Sequence, residues 1–344
     1  MRVLITLQEG WLRDVYFPPP MVRTLEGIGE VIWNDTGRPL TAGELARLLA
    51  DVEVCVTHWG APKFTAAVLA HAHSLRLIAH AAGSVGSLVT PAVYERGIAV
   101  CSANEVLARY VAEGTLAYIL AGLRRVPAFD ADLKGGKRWR TPTDELIPRS
   151  LFGRRVGLIG FGAVARHLLE LLRPFGVSVL VFDPWVRALP AAYADWVQRA
   201  TSLEEVLSWA EVLSVHASLT KDTYHMLDAD RLALMPDGAL LINTARGAII
   251  EQAALERELV SGRLSAVLDV FEVEPLPLDS PLRGLDNVVL QPHLAGVPAG
   301  AAMTEAVVED VLRFVRGEPL RHEISFERWR TMTRSEADVR QAIG

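Results

Sequence analysis

Three residues able to bind an anion and move a proton each follow an apolar, strand-like run in the C-terminal half of the chain. Arg246 follows Ala239–Asn243, inside Thr244–Ala245–Arg246–Gly247. Glu274 follows Ala266–Val270, inside Phe271–Glu272–Val273–Glu274–Pro275. His293 follows Val288–Leu290, directly after Gln291–Pro292. Ligands of an open parallel sheet bind at the carboxyl ends of its strands, so the three are expected on one edge. An arginine offers a planar, bidentate cation for the carboxylate and carbonyl of a 2-keto acid. A histidine titrating near neutrality can protonate the carbonyl oxygen as hydride arrives. A carboxylate beside it favours imidazolium and raises its pKa, the role expected of Glu274. Each residue alone has a plainer reading: a surface ion pair, a solvated turn, a loop cap. Their convergence is more informative than any one of them.

A second signal is Val156–Gly157–Leu158–Ile159–Gly160–Phe161–Gly162–Ala163–Val164–Ala165, an apolar strand running through Gly-x-Gly-x-x-Ala into a helix. Gly160 permits the tight turn, Gly162 lets backbone approach a pyrophosphate, and Ala165 is small enough for close helix–strand packing. The pyrophosphate would sit on free N–H groups at the helix N-terminus. The next strand, Val177–Phe182, ends in Asp183, about 20 residues on, where a carboxylate accepts from the ribose hydroxyls of NAD and repels the 2′-phosphate of NADP. Glycine turns without a ligand, an Asp-Pro turn at Asp183–Pro184, and the similar loops of S-adenosylmethionine enzymes are the competing readings. His216, at the end of Val212–Val215, is expected to line the cofactor cleft without a catalytic role; the other histidines besides His293, His58 and His80 among them, lack comparable context.

These residues need two alternating strand–helix series to hold them. The first hundred residues carry strand candidates at Val3–Leu7, Val31–Trp33, Val52–Thr57, Leu75–Ala79 and Ile98–Cys101. Helices are expected at Thr41–Ala50, where Thr41 and Glu44 have capping-box spacing, and at Thr65–His71. One long helix follows at Ala103–Val126, then a polar segment, Lys134–Ser150. The second series starts at Val156, and a last amphipathic helix, Ala299–Val315, precedes a polar tail with little order signal. Such alternation predicts parallel sheets covered by helices on both faces.

The 344 residues suggest about two domains. Half are hydrophobic, enough for sizeable cores, and the formal net charge of −6 gives no global pull toward nucleic acid or anionic lipid. No uninterrupted apolar run reaches the length of a membrane span, and the N-terminus does not read as a signal peptide. Cys55 and Cys101 alone cannot make a disulfide framework or a cysteine-rich zinc site. A soluble, cytoplasmic protein with no metal, nucleic-acid or membrane partner is expected.

Together these motifs resemble the D-isomer-specific 2-hydroxyacid dehydrogenases. The resemblance is densest from Glu95 to Gly296. It includes Glu95–Arg96–Gly97–Ile98–Ala99–Val100, Val111–Ala112–Glu113–Gly114–Thr115, Val215–His216–Ala217–Ser218–Leu219–Thr220, Ile242–Asn243–Thr244–Ala245–Arg246–Gly247, Leu268–Asp269–Val270–Phe271–Glu272–Val273–Glu274–Pro275 and Pro292–His293–Leu294–Ala295–Gly296. It implies an α/β fold: a Rossmann-type, doubly wound NAD domain, residues 103–296, inserted into a smaller flavodoxin-like substrate domain, residues 1–102 and 297–344. It assigns the substrate carboxylate to Arg246, support of the histidine to Glu274 and acid–base catalysis to His293. Cofactor contacts are implied at Gly160, Gly162, Ala163, Val164, Asp183, His216, Ala217, Thr244, Ala245 and Gly296, with Asp269 on the nicotinamide carboxamide. Substrate contacts are implied at Gly83, Ser84 and Val85, and the assembly is expected to be a homodimer.

Two departures leave the substrate open. The loop His80–Ala81–Ala82–Gly83–Ser84–Val85–Gly86 lacks the Asn-Ile-Asp-like continuation common in the family, and Ser218 stands where proline is common. Trp59, His80, Ser84 and Trp139 are candidates to shape the pocket. Besides hydride transfer between NAD(H) and a 2-hydroxy or 2-keto acid, the same motifs admit an NAD(H)-sensing, corepressor-like protein or a phosphite dehydrogenase. Glu274, where a formate dehydrogenase places an amide, argues against formate oxidation.

Overall fold

The computed structural model describes residues 1–136 and 148–343, so Trp139 lies outside the described residues. Two compact units form, Met1–Ala108 with Val297–Gly344, and Arg109–Gly296. The first changeover thus falls six residues beyond the expected 102, inside the long helix.

In the first unit, β1 (Arg2–Gln8), β2 (Glu30–Asn34), β3 (Val54–Thr57), β4 (Leu77–His80) and β5 (Ala99–Ser102) form one parallel sheet in the order β2-β1-β3-β4-β5. That is the flavodoxin-like order. β3 and β4 are buried along their whole length, as expected of strands covered on both faces. Thr41 caps the helix Ala42–Leu48 through the reciprocal bonds its spacing predicted. The tail corrects its expectation. Helix Gly300–Val315 packs on β4, and buried Asp310 accepts from the Arg321 and His322 amides at 2.7 and 3.0 Å. Those bonds turn the chain back toward the sheet, where the Ile324 amide donates to the Val100 carbonyl at 2.8 Å. Ile324, Trp329 and Met332 then bury themselves in the first unit's core. Three apolar residues spread through a polar stretch show no periodicity, so the tail's role was invisible to pattern.

The second unit holds seven parallel strands: β6 (Arg155–Ile159), β7 (Ser178–Phe182), β8 (Val197–Arg199), β9 (Val212–Val215), β10 (Leu240–Asn243), β11 (Ser265–Leu268) and β12 (Val288–Leu290). Their order, β8-β7-β6-β9-β10-β11-β12, is the Rossmann order with one strand added. β8 was not expected, because only Val197 of its three residues is buried. Leu158, Val179, Val212, Ile242 and Val267 from the sheet meet Leu168, Leu169 and Leu172 of the helix Ala163–Leu172. Ala112, Ile119 and Leu123 of the long helix Asn104–Arg124 complete this core. By length and composition that helix could cross a membrane, with a mean hydropathy of 1.3 over its most apolar window. It ends where Arg125 turns left-handed, at φ 53°, before a second helix, Val126–Lys134.

Candidate active site

β6 leads into a closed turn. Gly160 has φ 96°, and a Cβ there would stand 2.8 Å from the His216 carbonyl carbon and the Ala217 nitrogen, so only glycine fits. Gly162 differs: its Cβ direction meets only open space, as backbone destined to face a ligand requires. Gly162 is the N-cap of the helix Ala163–Leu172, and no side chain caps the first turn, which leaves its N–H groups for an anion. Ala165 is fully buried, as its place in the motif demands; Ala163 is buried too, and Val164 half-buried.

Asp183, at the end of β7, accepts from the Phe161 amide at 2.8 Å and the Trp185 amide at 2.9 Å. It pins the glycine turn, and a carboxylate's remaining lone pairs stay free for hydroxyl donors. The residues present therefore fit a dinucleotide. The His216 ring bonds the Ser214 hydroxyl at 2.9 Å, and desolvation pushes its pKa down to about 4, so at neutral pH it carries no charge. Thr244 turns its hydroxyl inward to Thr115, 3.0 Å away.

The three acid–base and anion-binding residues follow the neighbouring strands β10, β11 and β12. Asn243, the last residue of β10, accepts from the Ala245 amide and donates to the Arg246 carbonyl, both at 3.0 Å. This local loop, which competes with continued strand, sets the backbone of Arg246. A Cβ on Gly247 would stand 1.9 Å from the Phe271 carbonyl carbon, so the β10 and β11 loops lie directly on one another. Glu274 accepts from the Phe271 amide at 3.0 Å through one oxygen and meets His293 Nδ1 at 2.9 Å through the other.

His293 is left-handed at φ 58°, an uncommon conformation that needs support from its surroundings. Asp269, 1% exposed, supplies it by accepting from the Leu294 and Ala295 amides at 2.8 and 3.1 Å and from the Tyr118 hydroxyl at 3.2 Å. Gly114 leaves room for the same segment: a Cβ there would stand 3.2 Å from the Ala295 Cα. Gly296 closes the unit directly after it.

Electrostatics favour an ionised Glu274. Desolvation alone would raise the Glu274 pKa. The hydrogen bonds from His293 and the Phe271 amide, with the charges of His293 and Arg246, outweigh it and hold the carboxyl below its ordinary value. Burial lowers the Arg246 pKa and Glu274 opposes that shift; an arginine remains charged regardless. With Nδ1 directed at Glu274, Nε2 is the ring nitrogen left to exchange a proton.

Asn243, Gly247 and Tyr118 were not singled out from the sequence. Asn243 and Gly247 flank Arg246 in a quoted motif and were legible as turn residues. Tyr118 lies 151 positions from Asp269, and no spacing rule links them. Gly83, Ser84 and Val85 belong to the first unit, in the loop after β4. Val85 is fully buried in the core and the Ser84 hydroxyl donates to the Thr333 carbonyl at 2.8 Å. Any ligand held by Ser84 and Val85 in this arrangement is therefore held by backbone. Among the described residues no group of three or more His, Cys, Asp and Glu side chains gathers where it could hold a metal ion.

Residues 116–295 match the family described as D-isomer specific 2-hydroxyacid dehydrogenase, NAD binding domain. A D-3-phosphoglycerate dehydrogenase of Methanocaldococcus jannaschii is 33% identical over 305 residues, covering 86% of this chain and 56% of that longer protein. A hydroxypyruvate reductase of Thermotoga maritima is 34% identical over 277 residues, 79% of this chain and 85% of the relative. Among solved structures, the TT0316 protein of Thermus thermophilus superposes with a TM-score of 0.76 at 31% identity, over 94% of this chain and 100% of that one.

Proposed function

The chain belongs to the D-isomer-specific 2-hydroxyacid dehydrogenases, and on that premise we propose that it transfers hydride between NAD(H) and a 2-hydroxy or 2-keto acid. The observation that carries this reading is the His293–Glu274 pair at 2.9 Å, with Arg246 in the loop packed against that of Glu274. Arg246 binds the substrate carboxylate, and the backbone of Gly83–Val85 is kept as a proposed substrate contact of the first unit. His293 gives its Nε2 proton to the carbonyl oxygen in reduction and takes it back in oxidation. Glu274 fixes the ring and stabilises the imidazolium. Gly160, Gly162 and the first turn of the helix Ala163–Leu172 hold the pyrophosphate, and Asp183 the ribose. When bound, the dinucleotide supplies the hydride chemistry through its nicotinamide. A cytoplasmic homodimer is part of the same proposal; Val126 and Leu133, both more than half exposed on the second helix, suit a partner subunit.

The test is a panel of 2-keto acids followed by NADH absorbance and repeated with NADPH. Turnover is expected with NADH. In the Asp183→Ser variant the NADH-over-NADPH ratio should fall about tenfold or more, because the charge that repels the 2′-phosphate is gone. An unaltered ratio removes Asp183 from cofactor choice. No turnover on any 2-keto acid, with NADH-dependent capture of a protein partner, would favour the sensing alternative instead.

A further inference from the structure

The loop after β11 carries two glutamates, and each meets a histidine. Glu274 holds His293, as described above. Glu272 Oε1 lies 3.0 Å from Nε2 of His225, a residue of the segment between β9 and the helix Ala229–Ala233. Among the described residues only three non-glycines have positive φ: Arg125 and these two histidines, His225 at 48°. A residue with a Cβ stays in that conformation only where its surroundings over-determine it. For His225 those surroundings are backbone bonds to the segment after Arg246. The His225 amide donates to the Ala248 carbonyl at 2.8 Å and the Leu227 amide to the Ile249 carbonyl at 3.1 Å; the Glu251 amide returns a bond to the Leu227 carbonyl at 3.0 Å. The His225 ring also stacks on Tyr224, with 4.0 Å between centroids at 20°.

His225 therefore grips both loops that carry the chemistry. Its backbone holds Ala248, two positions after Arg246, and its side chain holds Glu272, two positions before Glu274. Between these grips Gly247 lies against the other loop, where a Cβ would stand 1.9 Å from the Phe271 carbonyl carbon and 2.3 Å from the Glu272 nitrogen. Such close approach sets how near the two backbones come, but a contact without a directed bond does not set their register. The His225–Glu272 bond does, because it is directional. Glu272 is tied a second time through its amide, which donates to Gln252 Oε1 at 3.1 Å, and Gln252 is itself fixed by donating to Glu256 Oε1 at 2.9 Å. The Glu272 side chain is 17% exposed against 38% for Glu274, so its bond is better shielded from water than that of an exposed pair.

We propose that His225 and Glu272 are positioning residues: the bond between them fixes the Glu274 loop against the Arg246 loop, and so sets the carboxylate that orients His293. The proposal rests on the hydride-transfer reading. Its test starts from His225→Gly, which removes the ring while glycine adopts φ 48° freely, so the backbone bonds survive. His225→Gln returns an N–H donor of similar reach. In His225→Gly, kcat for 2-keto acid reduction should fall about tenfold with NADH affinity unchanged, and His225→Gln should recover most of it. Glu272→Ala should cost as much as His225→Gly, and the double variant no more than either, as for two residues acting as one unit. Hydrogen exchange read by mass spectrometry follows the loop without turnover: peptides covering Phe271–Pro275 should exchange faster in His225→Gly and return toward wild type in His225→Gln. Wild-type kcat in His225→Gly, unaltered exchange in this loop, or costs that simply add in the double variant overturn the proposal. So does a fall in kcat that follows thermal stability and is not recovered in His225→Gln, because a merely structural residue behaves that way. If the wild-type protein reduces no 2-keto acid, hydride transfer fails instead, and the exchange comparison decides the pair on its own.

Discussion

Two parallel sheets built to the same rule end in very different edges. The edge of the seven-stranded sheet is charged and held by side chain-to-backbone bonds: Asn243 and Asp269 spend oxygens on amides of the loops that carry Arg246 and His293, and Glu274 accepts from the Phe271 amide of its own loop. The edge of the five-stranded sheet is neutral and aromatic, with the rings of Tyr16, His58 and Trp59 in contact. Histidine shows the contrast most directly. His293 is half exposed and paired with a carboxylate, whereas His58 and His80 are buried among rings and neutral hydroxyls and titrate near 4 and 3. Position at a strand end brings a residue to the ligand side; what surrounds the imidazole decides whether it can hold a proton there.

Substitutions on the charged edge should break chemistry. His293→Ala removes the proton donor, and kcat for keto-acid reduction should fall by about 10²–10⁴-fold while NADH binding, read by nicotinamide fluorescence, persists. Arg246→Ala is expected to match it through loss of carboxylate binding and orientation; near wild-type turnover in either variant refutes the mechanism. Glu274→Gln should cost less, about 10- to 100-fold, because it removes the charge favouring imidazolium but keeps a hydrogen-bonding shape. A variant with wild-type kcat removes Glu274 from the proton-transfer machinery.

On the neutral edge the expected effect is smaller and concerns stability. His58 and His80 are ordinary bases at pH 6.5 when unfolded but near 4 and 3 when folded, so between those values the unfolded chain binds more protons. Their contribution is full above about pH 6.5 and is lost as pH falls toward 4. Melting temperature should therefore decline over that interval, and His58→Phe should flatten the decline. An equally steep decline in the variant assigns acid sensitivity elsewhere.

The strand runs, the glycine turn and the chemistry-bearing trio were readable in the sequence because each is local. Apolar β-branched runs mark buried parallel strands, and Gly160 and Gly162 mark the turn. The bonds that hold the site are not local. Asp269 reads in sequence as one more polar residue after a strand, and only the fold brings it to Tyr118 and the Leu294 and Ala295 amides. β8 escaped because two of its three residues are exposed. Ile324, Trp329 and Met332 escaped because their burial is set by a sheet made more than two hundred residues earlier.

That separation orders events during synthesis. Gly86 lies so close to Thr333 that a Cβ on it would stand 2.2 Å from the Thr333 carbonyl oxygen, and Gly300–Val315 covers β4 from the far end of the chain. The five-stranded sheet is translated before the inserted unit yet cannot be covered until Gly300–Val315 and Thr333 emerge. At a few to some twenty residues per second that wait is roughly 10 to 45 seconds. The inserted unit, contiguous from Arg109 to Gly296, has its whole sequence available in the interval. The five-stranded sheet thus stays uncovered while the inserted unit is made, and its native closure follows the synthesis of Gly300–Val315 and Thr333.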